Sequence, residues 1–331
     1  MEKKLRAGVL GLMMGSAHCV GYRSNPNCEL TAICDPDEKT LAERQNEYKA
    51  KLATADWRQV VDSPDVDIVS VASPDYFHAE QCIAALRNGK HVLCEKPMTL
   101  SLPEAKAIIA EVEKSKGKFM IGQVCRYAPG FVQAKKLICD GLIGDLYFVE
   151  SEYAHNYGVA PGVGNWRVDS RREPMIGGAC HAVDLLRWIA GDAIQASALS
   201  NHKCLTDWPV NDCTVAIFTF PNNVIGKVMC SIGCTRPYTM RSVFYGTEGT
   251  IICDNTSPDL KICSKKHMGA KLDWTTIPVN IASHNITAEI TEFVDCILQD
   301  KPVLTNVYEG AKTVATAMAA VESAKLGGQP V

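Results

Sequence analysis

No Cys-x-x-Cys pair occurs in the 331 residues, although the chain carries fifteen cysteines. The tightest spacing, Cys230 to Cys234, matches no zinc-ligand pattern, and no metal is expected. An odd number of cysteines scattered singly along a long chain excludes a disulfide framework and reads as reduced, mostly buried small hydrophobes. No apolar run approaches the roughly 20 residues that a membrane helix needs. The opening Met1-Glu2-Lys3-Lys4-Leu5-Arg6 leads into a short run broken by glycines, unlike a secretory signal, so a cytoplasmic, membrane-free protein is expected. Positive charge is not in excess either. Thirty-four Lys and Arg against 37 Asp and Glu leave a net −3, which argues against a nucleic-acid-binding surface. Internal repeats and low-complexity segments are also missing. What remains, 47% hydrophobic and 21% charged residues, is the composition of a globular protein, and the length favours two domains.

In the first part, short β-branched runs alternate with helical patterns, the signature of βαβ units and a parallel sheet. Strands are expected at residues 7–12, 30–34, 67–72, 91–94 and 119–124, with helices at 39–51, 79–88 and 102–115 between them. Beyond residue 125 the texture changes. A helix at 131–139, a strand at 146–153 and an irregular Gly, Pro and Arg-rich stretch at 156–173 precede an apolar helix at 179–190. Strands and turns then alternate from 196 to 276, which implies an antiparallel sheet with one open face. Two helices, 287–298 and 308–324, close the chain. The fold class is therefore α/β: an N-terminal doubly wound Rossmann domain, residues 1–125, and a C-terminal α+β domain with a large, mostly antiparallel sheet, residues 126–331.

The first strand runs into Gly8-Val9-Leu10-Gly11-Leu12-Met13-Met14-Gly15. Glycines there let the chain turn sharply and bring backbone amides at a helix N-terminus against a pyrophosphate, although the loop is one residue short of Gly-x-Gly-x-x-Gly. Asp35, twenty residues after Gly15, stands where a carboxylate would accept hydrogen bonds from an adenosine ribose and repel a 2′-phosphate, favouring NAD over NADP. The lesser alternative is that it caps the turn at Pro36. Two further strand ends, Ser73-Pro74-Asp75-Tyr76-Phe77-His78 and Cys94-Glu95-Lys96-Pro97, should face the same cleft. A lysine held beside a proline suits an acid, base or hydrogen-bond donor, and equally reads as a solvent-exposed loop lysine. In the second half, Gly177-Gly178-Ala179-Cys180-His181-Ala182-Val183-Asp184 sets His181 and Asp184 three apart on an otherwise apolar helix. Such polar groups are costly unless paired or used, so His181 is a proton-transfer candidate or a satisfied core histidine.

Glu95-Lys96-Pro97, the Ala84-Ala85-Leu86-x-x-Gly89-Lys90-His91-Val92 run before it, Ser73-Pro74-x-x-x-His78 and His181-x-x-Asp184 together resemble the glucose-fructose oxidoreductase, inositol dehydrogenase and rhizopine-catabolism (Gfo/Idh/MocA) family. The resemblance covers nearly the whole chain. It implies an NAD(P)-dependent dehydrogenase acting on a secondary hydroxyl of a sugar, glycoside or inositol, with Lys96 as active-site lysine and His181 as catalytic histidine; Asp184 is the candidate to orient that histidine. It implies a cofactor site of Gly11, Leu12, Met13, Met14, Asp35, Ser73, Pro74, His78, Glu95, Lys96 and Gln123, crossed by a loop bearing Trp166 and Arg167. It further implies a carbohydrate site of Lys96, Arg126, Tyr153, His155, Tyr157, His181 and His284, and a homodimer or homotetramer formed through the C-terminal sheet. One departure stands out: many relatives carry an aspartate four residues before the histidine, where this chain has Gly177. An alternative is an NAD-recycling glycosidase or lyase working through a transient keto-sugar. A non-catalytic NAD-binding regulator is disfavoured by the presence of both Lys96 and His181. Cys94 and Cys180, each beside a proposed functional group, are the cysteines whose oxidation is expected to matter.

Overall fold

The computed structural model describes residues 4–268, 272–279 and 284–331. The chain divides into two units, Met1–Gln123 with Asn285–Val314, and Val124–His284 with Ala315–Val331.

The first unit opens with β1 (Leu5–Leu10), α1 (Gly15–Ser24), β2 (Cys28–Cys34), α2 (Glu38–Tyr48), β3 (Leu52–Thr54) and α3 (Trp57–Asp62). It continues with β4 (Ile68–Val71), α4 (His78–Arg87), β5 (His91–Glu95), α5 (Leu102–Val112) and β6 (Phe119–Gly122). The six strands are all parallel in the order β3-β2-β1-β4-β5-β6, the doubly wound arrangement with its switch point between β1 and β4. Their continuous apolar runs, such as the fully buried Ile-Val-Ser-Val of β4, suit a sheet covered on both faces. Side-chain caps start three of the helices: Asp37 accepts from the Thr40 amide, Asp56 from Arg58 and Ser101 from Glu104.

The second unit contains α6 (Pro129–Cys139), β7 (Leu146–Ala154), α7 (Pro174–Gly177), α8 (Cys180–Ala190), β8 (Gln195–Asn201), β9 (Cys213–Phe220) and β10 (Val224–Ser231). Next come β11 (Thr239–Gly246), β12 (Gly249–Asp254), β13 (Asp259–Ser264), α9 (Lys265–Met268) and β14 (Thr275–Pro278). Eight described strands form one sheet, β14-β13-β12-β11-β7-β10-β9-β8, antiparallel throughout except for the β7/β10 pair. Helix α8 lies on β7 and β10, and α6 on β12 and β13. On the other face, β9 alternates buried and exposed residues along its length, with Val215 and Ile217 turned outward. The chain closes with α10 (Ile286–Leu298) and α11 (Val307–Lys325). Among the described residues no helix is long and apolar enough to cross a membrane.

Three features differ from the sequence expectation. The first strand stops at Leu10 rather than residue 12, because Gly11 takes a φ of +84° and begins the turn. Strand β3 and helix α3, three and six residues long, are too short to show a period. Helix α10 leaves the 126–331 domain and joins the Rossmann unit. It packs against α1, where Gly21 makes room for Ile290, and buries Ile290, Phe293 and Val294.

Candidate active site

The Rossmann unit gathers the sequence-selected residues at the carboxyl ends of its strands. After β1 the Gly11 amide donates to the Cys34 carbonyl at 2.8 Å, and a Cβ there would lie 2.6 Å from the Ala72 carbonyl oxygen. Only glycine allows the chain to turn this close to the end of β4. The turn leaves Met13 and Met14 exposed just before α1. Asp35 is occupied on both oxygens: Leu12 N–H donates to Oδ2 at 2.7 Å and Asp37 N–H to Oδ1 at 2.9 Å. The carboxylate therefore ties the glycine turn to the end of β2, and a ribose would be a further partner for its remaining lone pairs.

His78 joins the next two loops. Its Nδ1 lies 2.8 Å from the Pro97 carbonyl and its Nε2 2.9 Å from the Ser73 carbonyl, with the ring buried. Ser73 Oγ donates to Gln81 Oε1 at 2.7 Å, and Pro74 leads into a single 3-10 turn. At the end of β5 the Lys96 amide donates to Glu95 Oε2 at 3.0 Å, and the Lys96–Pro97 peptide is cis. Glu95 is buried and Lys96 half-buried. Burial drives the Glu95 carboxyl upward, but the hydrogen bond and charge of His18, and the charge and amide of Lys96, outweigh it and hold the group below the usual carboxylate range. Gln123, just past β6, is buried; its Nε2 donates to Thr313 Oγ1 at 3.0 Å, while its Oε1 has no partner among the described residues. The amide donor is thus committed within the unit, and the carbonyl oxygen is the atom available to a ligand.

The second unit builds an aromatic and imidazole cluster at the end of β7. Tyr153 OH lies 3.1 Å from His155 Nδ1 and 3.1 Å from Tyr157 OH. Tyr238 stands edge-on to Tyr153 and 4.9 Å from the His155 ring. His181, near the start of α8, stacks on His284 with centroids 5.9 Å apart and 15° between planes, and His284 in turn lies 5.9 Å from Tyr238. The Cys125 sulfur is 3.6 Å from His181 Nδ1. Burial pushes the Tyr153 hydroxyl well above its ordinary value, and Tyr238 rises for the same reason, so both phenols stay protonated donors. This set presents hydroxyl and imidazole groups side by side, with half-buried His155, Tyr238 and His284 reachable from solvent. Tyr238 and Cys125 carry no motif by which the sequence alone singles them out.

The structure corrects two expectations here. Asp184 does not simply share a helix surface with His181: its carboxylate takes a two-pronged ion pair from Arg126, at 2.9 and 2.7 Å, and lies 3.7 Å from Arg187. Arg126 is likewise corrected as a substrate contact, because its side chain is 3% exposed and its fork is spent on that carboxylate. The position of the missing aspartate, Gly177, is filled from outside: a Cβ there would lie 2.6 Å from the Arg172 guanidinium carbon, and Arg172 donates to the Gly177 carbonyl at 2.9 Å. Cys94 and Cys180 are both buried, and burial raises the Cys94 thiol well above its ordinary value, which makes neither a ready target of oxidation. Arg167 lies over the rings of Tyr157 and Trp166, and its Nη1 donates to the Ala160 carbonyl at 2.8 Å. Among the described residues no group of three His, Cys, Asp or Glu side chains is arranged to hold a metal ion.

Residues 5–123 match the family described as "Oxidoreductase family, NAD-binding Rossmann fold", and residues 131–252 match the Gfo/Idh/MocA C-terminal domain. The chain belongs to the Gfo/Idh/MocA family. A family relative, levoglucosan dehydrogenase of Pseudarthrobacter phenanthrenivorans, is 28% identical over 294 residues, 76% of this chain and 73% of that one. The scyllo-inositol 2-dehydrogenase (NAD⁺) of Bacillus subtilis is 25% identical over 315 residues, 93% of this chain and 90% of that protein. Among solved structures, a levoglucosan dehydrogenase complex with NADH and L-sorbose has the same fold, with a TM-score of 0.91 at 24% identity over 99% of this chain and 98% of the other.

Proposed function

We propose that this member of the family is an NAD-dependent dehydrogenase that oxidises, or in reverse forms, a secondary hydroxyl of a sugar, glycoside or inositol. The observation that carries the reading is the convergence of the Gly11 turn, Asp35, the Ser73 to His78 loop and the Glu95-Lys96-Pro97 loop at one edge of one parallel sheet. The fit to a dinucleotide is supported by the positive-φ Gly11 turn at the start of α1 and by the unpartnered Gln123 Oε1. Gly11, Leu12, Met13 and Met14 would hold the pyrophosphate, Asp35 the ribose, and Ser73, Pro74, His78, Glu95, Lys96, Gln123, Trp166 and Arg167 the remainder. When bound, NAD⁺ supplies the hydride acceptor.

The chain's own groups then have separate tasks. Lys96 donates a hydrogen bond to the reacting hydroxyl, and His181 takes its proton. A base at His181 is needed because a free alkoxide is too basic to persist at neutral pH. Tyr153, His155, Tyr157 and His284 orient the remaining hydroxyls of the substrate. Asp184 acts at one remove by fixing Arg126 within the unit that carries His181. The outward apolar residues Tyr147, Val215, Ile217 and Ile225 on the open sheet support pairing of that face with a second copy, as a homodimer or homotetramer.

The test is an NAD⁺ reduction screen over neutral sugars, glycosides, inositols and sugar acids, read by NADH absorbance. Lys96→Ala and His181→Ala are each expected to lower turnover about 10² to 10⁴-fold. Wild-type turnover in either variant would overturn the assignment, and substrate cleavage without net NADH would replace it with the redox-recycling alternative.

A further inference from the structure

Behind Lys96 the Rossmann unit buries a run of polar groups of which only Glu95 has a role proposed above. Tyr22 and His18 on α1 and Ser70 on β4 are fully buried, and Glu95 nearly so. Tyr22 OH lies 2.8 Å from Ser70 Oγ, Ser70 Oγ 3.2 Å from His18 Nδ1, and His18 Nε2 3.0 Å from Glu95 Oε1. Glu95 Oε2 then accepts the Lys96 backbone amide at 3.0 Å.

Donor bookkeeping gives the chain a direction at its far end. An ionised carboxylate can only accept, so His18 Nε2 carries the proton it shares with Glu95, whichever state Nδ1 adopts. Ser70 engages the other ring nitrogen, is itself held by Tyr22, and fixes the plane of the imidazole. Glu289 on α10 also faces Glu95, but burial and the Glu95 charge push its carboxyl far above the usual range, so it remains neutral and adds no competing anion. Cys94, the neighbour of Glu95 on β5, is held as a thiol by burial. Glu95 is thus held from the interior on one oxygen and grips the Lys96 main chain with the other. Past Lys96, the Pro97 carbonyl is held by His78.

We propose that His18 is a positioning residue for Lys96: through Glu95 it fixes the backbone from which the lysine ammonium is presented to the reacting hydroxyl. This inference rests on the role given to Lys96 above. It assigns to a helix residue in the cofactor-binding half a function that its position after the glycine turn does not announce.

Two variants separate positioning from mere stability. His18→Leu removes the donor to Glu95, whereas His18→Gln keeps an amide N–H of similar reach. Two readouts are taken on each full-length variant: kcat and KM on a substrate found by the screen, and the rate at which acetic anhydride acylates Lys96, followed by peptide mass spectrometry. His18→Leu is expected to lower kcat by up to about 10²-fold, the scale of an ångström of misplacement, with KM little changed and Lys96 acylated several-fold faster. His18→Gln is expected to recover most of both. Unchanged kcat and acylation in His18→Leu overturn the proposal, as does a His18→Gln variant that folds yet shows the full defect. If His18→Leu fails to fold, Glu95→Gln, which keeps an acceptor for the Lys96 amide but weakens the bond to His18, takes its place with the same expected direction. The acylation rate needs no substrate, so an inactive wild-type chain would refute the dehydrogenase reading while this comparison still decides the role of His18.

Discussion

Replacing Glu289 by methionine should stabilise the Rossmann unit, and by an amount that grows with pH. Glu289 sits on α10 with no exposed surface, and neither carboxyl oxygen has a hydrogen-bond partner among the described residues. Burial, then the charges of Glu95 and Glu292, push its carboxyl well above the ordinary value. The folded state keeps a proton that the unfolded chain releases near pH 4.3, the ordinary value of about 4.3 for a glutamate. A group whose folded pKa is raised contributes its stability below the unfolded pKa and loses it as pH climbs toward the folded one. Wild type therefore forfeits about 1.4 kcal/mol per pH unit through this residue, from about pH 4.3 until Glu289 ionises in the fold.

Methionine has a similar length and no charge, so it removes that slope. It also relieves the cost of a buried, unsatisfied polar group, about 1 to 3 kcal/mol. The variant should lead by about 1 to 3 kcal/mol at pH 4, the unsatisfied-group cost alone. Each further pH unit should widen the gap by about 3 to 6 °C in Tm, taking roughly 2 to 4 °C per kcal/mol for a unit of this size. Thermal unfolding of both proteins at half-unit steps from pH 4 to 8 is the assay. A difference that is flat across this range, or a methionine variant that melts below wild type at pH 7, would refute the reasoning.

Three other outcomes follow from named contacts. Asp184→Ala leaves the Arg126 guanidinium buried without its carboxylate and should cost about 3 to 5 kcal/mol, seen as a large fall in Tm; an unchanged Tm with lost turnover would instead return Asp184 to a purely chemical role. Asp35→Ala removes the acceptor for two backbone amides, each bond to a charged group being worth about 1.5 to 3 kcal/mol, so both Tm and NADH affinity should drop, with Asp35→Asn intermediate. A thiol reagent applied to the native protein should modify the exposed Cys139 and Cys204 first and reach Cys94 and Cys180 only on unfolding, which peptide mass spectrometry would show.

The parallel half was legible because a sheet buried on both faces writes itself as unbroken apolar runs, and β4 and β5 show this directly. What local pattern does not carry is long-range choice. Nothing within α10 says that its apolar face belongs on α1 rather than on the sheet it follows; that is settled by the space at Gly21 for Ile290. The same limit governs the site. A spacing of three on α8 correctly puts His181 and Asp184 on adjoining positions, yet spacing cannot tell which group elsewhere will claim the carboxylate. A guanidinium from 58 residues upstream does, because its planar fork meets both oxygens at once in a buried setting. Asp35 shows the converse: it lies where the fingerprint requires an acid, but the turn it stabilises already uses both its oxygens. A ribose hydroxyl would then join an anchored carboxylate, so the group proposed to select the cofactor also shapes the glycine turn. Affinity and loop stability should therefore fall together at this residue, and a variant that separated them would show that the two roles are independent.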